Sequence, residues 1–135
     1  MKILLGSHGR LASGIKTSLE ILIGGTDKLT VLDAYVDDFD IDRQLSDFFS
    51  AVAEDEQVLM LSDLYGGSVN QKMYLYLNRK NTFLVAGVNL ALVLEVCMRD
   101  EIDEHDLEQI VRQAREMQRI VHYDSEPSID EEDFF

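Results

Sequence analysis

The chain has 135 residues, 46% of them apolar, with one proline, one cysteine and a formal net charge of −14. The length suits a single domain that buries about two thirds of its unfolded surface; the charge argues against nucleic acid or an anionic membrane as partner, because both need basic patches, and is compatible with a basic protein. No apolar run nears the ~20 residues that span a bilayer, Met1–Leu5 is too short for the apolar core of a secretory leader, and the lone Cys97 fits a reducing compartment, so a cytoplasmic protein is expected.

Lys2–Leu5 reads as a short buried strand. Leu11, Ile15, Leu19 and Leu22 then recur on one face of a helix that Gly24-Gly25 ends. Lys28–Ala34 is a second strand, and Ile41, Leu45, Phe48, Phe49 and Val52 mark a second helix. Gln57–Leu61 is apolar almost throughout, as a strand covered on both faces should be. Gly66-Gly67-Ser68 opens a third helix with Met73, Tyr74 and Leu77 expected inward. Thr82–Ala86 is a fourth strand and Leu90–Met98 a nearly all-apolar helix, a candidate dimer contact. A last helix runs from about Glu104 to Gln118, buried through Leu107, Ile110, Val111, Ala114 and Met117. Asp103 is its expected N-cap, with acids early and arginines late as the helix dipole favours. Ile120–Tyr123 is a candidate final strand. Asp124–Asp133 holds six acids and no base and reads as a frayed tail, so the expected division is a folded domain over 1–123 and an acidic tail over 124–135.

Alternating strands and helices imply an α/β fold: three layers, an open, mostly parallel sheet of four strands, helices on both faces. Right-handed crossovers put every strand's C-terminal end along one edge, where such sheets bind ligands. The loops to inspect are therefore Gly6–Arg10, Ala34–Asp40, Ser62–Ser68 and Gly87–Leu90. The first holds His8, the second no obvious nucleophile, the third Asp63 and Ser68, the fourth Asn89. If the strands of His8 and Asp63 are neighbours, the carboxylate can hold one ring nitrogen and leave the other free as a nucleophile. Glycines at 6, 9, 66 and 67 admit backbone amides to an incoming anion, and helices starting near Arg10 and Ser68 would aim their positive ends at it. Such a site suits reversible phosphoryl transfer and has no metal ligands nearby.

Each residue also has a plainer reading. Asp63 and Asn89 can be helix caps, Gly66-Gly67 a tight turn, and His105 and His122 surface residues. Asp37, Asp38, Asp40 and Asp42 lack the glycine and terminal glutamate of a calcium loop and read as a solvated loop. Gly9-x4-Gly14-Ile15-Lys16-Thr17 nears a P-loop, but Ile15 intervenes and turns Lys16 by ~100° around the helix. Gly6, Gly9 and Gly14 miss the dinucleotide spacing.

Three blocks resemble one family. Gly6-Ser7-His8-Gly9 with Leu11-Ala12-Ser13-Gly14 and Ser18-Leu19-Glu20, then Ser62-Asp63-Leu64-Tyr65-Gly66-Gly67-Ser68, then Ala86-Gly87-Val88-Asn89-Leu90, resemble in order the signatures of the mannose-family enzyme IIA of the bacterial sugar phosphotransferase system, over roughly residues 1–120. The resemblance implies a cytoplasmic homodimeric phosphotransferase that takes phosphate from the phosphocarrier HPr and passes it to a separate enzyme IIB, with membrane components IIC and IID served indirectly. It implies no cofactor. His8 matches the phosphorylated histidine and Asp63 its carboxylate partner. Gly9, Arg10, Gly66, Gly67 and Ser68 fall in the phosphate-binding loops, with Ser7 and Asn89 as secondary candidates. It also implies a C-terminal antiparallel strand exchanged between subunits, which points to Ile120–Tyr123. Val69 and Ala91 stand where many members have proline. The alternatives are the phosphotransfer subunit of a dihydroxyacetone kinase and a non-catalytic anion-binding regulatory domain; a receiver domain would need paired acids after the first strand, which Gly6–Gly9 lacks.

Overall fold

The computed structural model describes residues 1–123; the acidic tail lies outside the described residues. Nine elements alternate as expected: β1 (Lys2–His8), α1 (Leu11–Ile23), β2 (Leu29–Ala34), α2 (Ile41–Ala51), β3 (Val58–Ser62), α3 (Ser68–Tyr74), β4 (Thr82–Ala86), α4 (Leu90–Cys97) and α5 (Glu104–Glu116). The strands form one sheet in the order β2-β1-β3-β4, parallel throughout. From β1 the chain moves outward to β2, then crosses back over β1 to β3. The order therefore reverses between β1 and β3, and their C-terminal ends flank the crevice where α/β sheets take ligands.

The sheet is buried on both faces. Ile3, Leu5, Leu59 and Leu61 pack with α1, α4 and α5, while Leu4, Val58 and Met60 pack with α2 and α3. Each fully buried aliphatic side chain contributes roughly 1.5–3 kcal/mol, so β1 and β3 are the least mobile place on which to mount a site. The apolarity of α4 has the same cause. Leu92, Val93, Leu94, Val96 and Cys97 are all buried within the chain, in one core with α5 residues Leu107, Ile110 and Ala114, so this helix is core and not the free dimer contact its sequence suggests.

Several expectations need correction. β1 runs on to His8, whose Cα pairs with Ala34, so His8 ends a strand instead of standing in the loop after it. Tyr74 and Leu77 point outward, as do Leu11 and Met117. α3 is only two turns long, and Met73 and Val69 bury its inner face. On α1, Ala12 and Leu19 are the buried positions. Ile120–Tyr123 forms no strand within this chain, and Ile120, Val121 and Tyr123 are exposed.

Candidate functional site

The ends of β1 and β3 bring His8 and Asp63 together. Gly6 pairs with Ser62 across the two strands, so Asp63 leaves β3 beside Ser7 and His8, the last residues of β1. Asp63 Oδ2 accepts from the backbone N–H of His8 at 2.9 Å and sits 2.9 Å from ring Nδ1. Burial pushes the Asp63 carboxyl up, but the hydrogen bonds from the His8 backbone and ring, with the ring's charge, outweigh it and hold its pKa below the ordinary 3.8. Asp63 is thus an anion at neutral pH and can only accept, so Nδ1 carries a proton, and in the neutral ring the lone pair lies on Nε2. Asp63 Oδ1 is buried without a partner among the described residues. An orphaned acceptor costs roughly 1–3 kcal/mol, and native proteins keep such atoms mainly where function dictates the geometry.

Nε2 faces α3, with Ser68 Oγ, on the first residue of that helix, 3.2 Å away. Two glycines shape this approach. Gly66 has φ +75°, a turn conformation that disfavours side chains, and Gly67 lies so close that a Cβ there would stand 3.3 Å from His8 Cε1 and 3.2 Å from the Leu64 carbonyl oxygen. The turn is tied by Gly67 N–H to Leu64 O at 3.1 Å and by Gln71 Nε2 to Gly66 O at 2.9 Å. The His8 side chain is 41% exposed and Asp63 only 12%. The base of the pair is sheltered and its reactive end is open.

Other anticipated residues serve the scaffold. Ser7 is buried; its Oγ accepts from Ala12 N–H at 2.8 Å and donates to Gly9 O at 3.2 Å. Asp33 Oδ1 accepts from Ser13 N–H at 3.0 Å. These two side chains satisfy the N-terminus of α1, whose N-cap residue Arg10 makes no side-chain capping bond. Gly9 N–H is bonded to Ala34 O at 2.8 Å. The amides of 9, 12 and 13 are therefore already engaged, and α3 sets its first residue, Ser68, beside Nε2. Asn89 caps α4 through Leu92 N–H at 2.9 Å and donates to Ala114 O at 2.7 Å, joining α4 to α5. Asp37, Asp40 and Asp42 are taken by a turn bond to Phe39 N–H, the α2 cap and an ion pair with Lys72 at 3.0 Å. Among the described residues no group of histidine, cysteine and carboxylates is arranged to hold a metal. Burial pushes the Cys97 thiol up to about 11, far from a reactive thiolate.

Tyr35 was not legible as a site residue. Its hydroxyl is 2.7 Å from Ser68 Oγ, its ring centroid 5.6 Å from that of His8, and its φ is +68°. For a bulky residue this left-handed backbone is an outlier worth roughly 1–2 kcal/mol. The only available signal was position, one residue beyond a strand at the ligand edge.

The family model for the fructose IIA component of the phosphotransferase system matches residues 2–115. No curated protein matches the chain. Among solved structures it is similar to the mannose/sorbose-specific IIA subunit of Enterococcus faecalis, with TM-score 0.81 and 20% identity over 96% of this chain and 98% of that one. It is also similar to the IIA protein associated with a fucose utilisation operon in Streptococcus pneumoniae, at 0.76 and 27% over 88% and 91%. A third likeness is to the IIA component of Streptococcus agalactiae, at 0.69 and 21% over 88% and 95%. The doubly covered parallel sheet, the motif blocks and the matched family together place this chain in the mannose-type enzyme IIA family of the sugar phosphotransferase system.

Proposed function

We propose that this chain carries a phosphoryl group on His8, taking it from HPr and handing it to an enzyme IIB in the cytoplasm. The observation that carries the reading is the polarity of the histidine. Asp63 holds Nδ1–H from a sheltered position, while Nε2 lies beside a serine hydroxyl on a side chain that is 41% exposed. In the reaction the Nε2 lone pair attacks phosphorus in line and the donor's P–N bond breaks, its electron pair returning to the donor ring. His8 keeps its Nδ1 proton and gains positive charge, which the Asp63 carboxylate offsets. Ser68 donates to a phosphoryl oxygen. Donor and acceptor are both imidazoles, so the transfer is close to balanced and runs in either direction.

A protein partner must reach Nε2, and the surface around it suits one. Leu11, Tyr35, Phe39, Leu64 and Tyr65, all exposed, lie on the segments that bound His8. An apolar rim of this kind marks a docking face, and the acids 37, 38 and 40 beside it favour a basic partner. Among the described residues no helix is long and apolar enough to cross a membrane. A dimer fits the opposite flank. β4 is an edge strand whose residues are all half-buried, with a groove of about 380 Å³ between it and α5, and the exposed 120–123 segment of a second copy can pair along that edge.

The test is phosphorylation by phosphoenolpyruvate, enzyme I and HPr, read as intact mass. The expected result is a gain of one acid-labile phosphoryl group, absent in His8→Ala. No gain, or an equal gain in the variant, would sink the relay. For the dimer, light scattering of a chain ending at Gln118 should report a monomer and the full chain a dimer.

A further inference from the structure

Tyr35 stands in none of the motif blocks, yet the hydrogen bonds at the site run through it. Their directions follow for the neutral ring that acts as nucleophile. Asp63 is ionised and accepts only, so His8 Nδ1 donates to it, and in the neutral ring Nε2 is a bare acceptor. Ser68 Oγ, 3.2 Å from Nε2, must then be the donor there. Its single proton is thereby committed, and the 2.7 Å contact with Tyr35 has the phenol O–H donating to Ser68 Oγ. The chain reads Tyr35 to Ser68 to His8 to Asp63, every proton pointing the same way.

The backbone supports this assignment. Tyr35 is 60% exposed, so burial of its ring does not account for its place. It nonetheless adopts φ +68°, a conformation that persists in bulky residues only when surroundings impose it. What the conformation achieves is to turn the side chain back from the end of β2, across His8, onto the first residue of α3.

We propose that Tyr35 is a positioning residue for phosphoryl acceptance, a reading that rests on the relay above. Its phenol holds the Ser68 oxygen in place, so the Ser68 hydroxyl donates to Nε2 while His8 is free and turns to a phosphoryl oxygen as the P–N bond forms. The Ser68 proton never leaves Oγ, the His8 proton stays on Nδ1, and only the P–N bond is exchanged. Without the phenol, Ser68 rotates freely and the hydroxyl must be ordered during transfer.

The experiment is a double-mutant cycle of Tyr35→Phe and Ser68→Ala. It is read by single-turnover transfer from phosphorylated HPr and by ¹⁵N NMR of the His8 ring. Phenylalanine keeps the ring and the same backbone demand, so the fold is preserved. Tyr35→Phe should slow transfer at saturating phosphorylated HPr about 3–10-fold, the effect of one neutral hydrogen bond. In the Ser68→Ala background the same change should cost less than about 2-fold. The Nε2 resonance should move toward that of an unbonded nitrogen in Ser68→Ala, and part of the way in Tyr35→Phe. Equal costs in both backgrounds, or an Nε2 resonance that ignores Tyr35→Phe, would overturn the proposal. If no variant and no parent protein accepts phosphate, the relay fails, and the Nε2 resonance alone then decides the Tyr35–Ser68–His8 chain.

Discussion

The two ends of the sheet satisfy their polar groups in opposite ways. At the N-terminal edge, Gln57 is buried and every arm of its amide is used. Nε2 donates to Asn81 Oδ1 at 3.0 Å and Ile102 O at 2.6 Å, and Oε1 accepts from Ile102 N–H at 2.9 Å. Nearby, Lys28 Nζ reaches Arg99 O at 2.7 Å and the N-terminal ammonium pairs with Glu56 at 3.0 Å. At the C-terminal edge, a carboxylate oxygen is orphaned, a tyrosine is held at positive φ, and a histidine stands half open. One edge is closed, and its one left-handed residue besides glycine among the described residues, Asn81 at φ +54°, is of a type that tolerates that conformation. The other carries the unsatisfied and strained groups that a reacting site uses. Stability and chemistry are thus kept about one strand length apart, and substitutions at each edge should separate them.

The largest effect is expected at the closed edge. Gln57→Ala strips three hydrogen bonds and leaves both the N–H and the C=O of Ile102 without partners in a buried place, which should cost about 2–4 kcal/mol. Thermal unfolding should shift down by roughly 10 °C, while the rate of phosphoryl transfer at a temperature where the variant is folded stays within a factor of about two. A matching loss of transfer would mean the two edges are coupled and the division does not hold.

Asp63→Asn probes the open edge. An amide cannot offset the charge His8 acquires, and the loss of a charge-assisted bond worth about 2 kcal/mol predicts transfer slowed roughly 30-fold. The pH dependence carries a sign. Because the folded pKa of Asp63 lies below the ordinary 3.8, its stabilising contribution is complete above that value and lost as pH falls through the lower folded one. Acid unfolding of the parent should therefore include a step that Asp63→Asn lacks. Identical acid transitions would show that the carboxylate does not stabilise the fold.

The sequence disclosed these edges unequally. Strand and helix alternation, the buried run of β3 and the caps at Asp103 and Asn89 were legible because each depends on local chemistry. The nearness of His8 and Asp63 was legible only conditionally, since it depends on β1 and β3 being neighbours, and strand order is a long-range property. Tyr35 was not legible at all: what places it is a backbone angle, set by the fold around it and unmarked by glycine. Gln57 was read simply as part of an apolar strand, because its partners lie 24 and 45 residues away. Leu77 was misplaced because α3 stops at Tyr74, and Tyr74 because the inner face runs through Val69 and Met73, about 100° around the helix from it.

The finest test of the open edge lies in its two adjacent glycines, which are needed for different reasons. Gly66 requires its φ of +75° but has nothing within 4 Å of a Cβ. Gly67 has an ordinary φ of −69° but is crowded by His8 Cε1 and the Leu64 carbonyl. Gly66→Ala should therefore lower stability by about 1–2 kcal/mol through backbone strain and leave the ring of His8 where it is. Gly67→Ala should cost less than about 1 kcal/mol, since the backbone accepts alanine and the ring can give by a few tenths of an ångström. That small displacement falls on the nucleophile and moves Nε2 against Ser68. Transfer in Gly67→Ala should drop about 3–10-fold, because misalignment of reacting atoms is amplified in rate, while in Gly66→Ala it stays near the parent value once folding is allowed for. Single-turnover transfer beside thermal unfolding separates the two. If Gly66→Ala proves the slower transferrer and Gly67→Ala the less stable protein, the close approach of Gly67 to His8 does not set the geometry of the site.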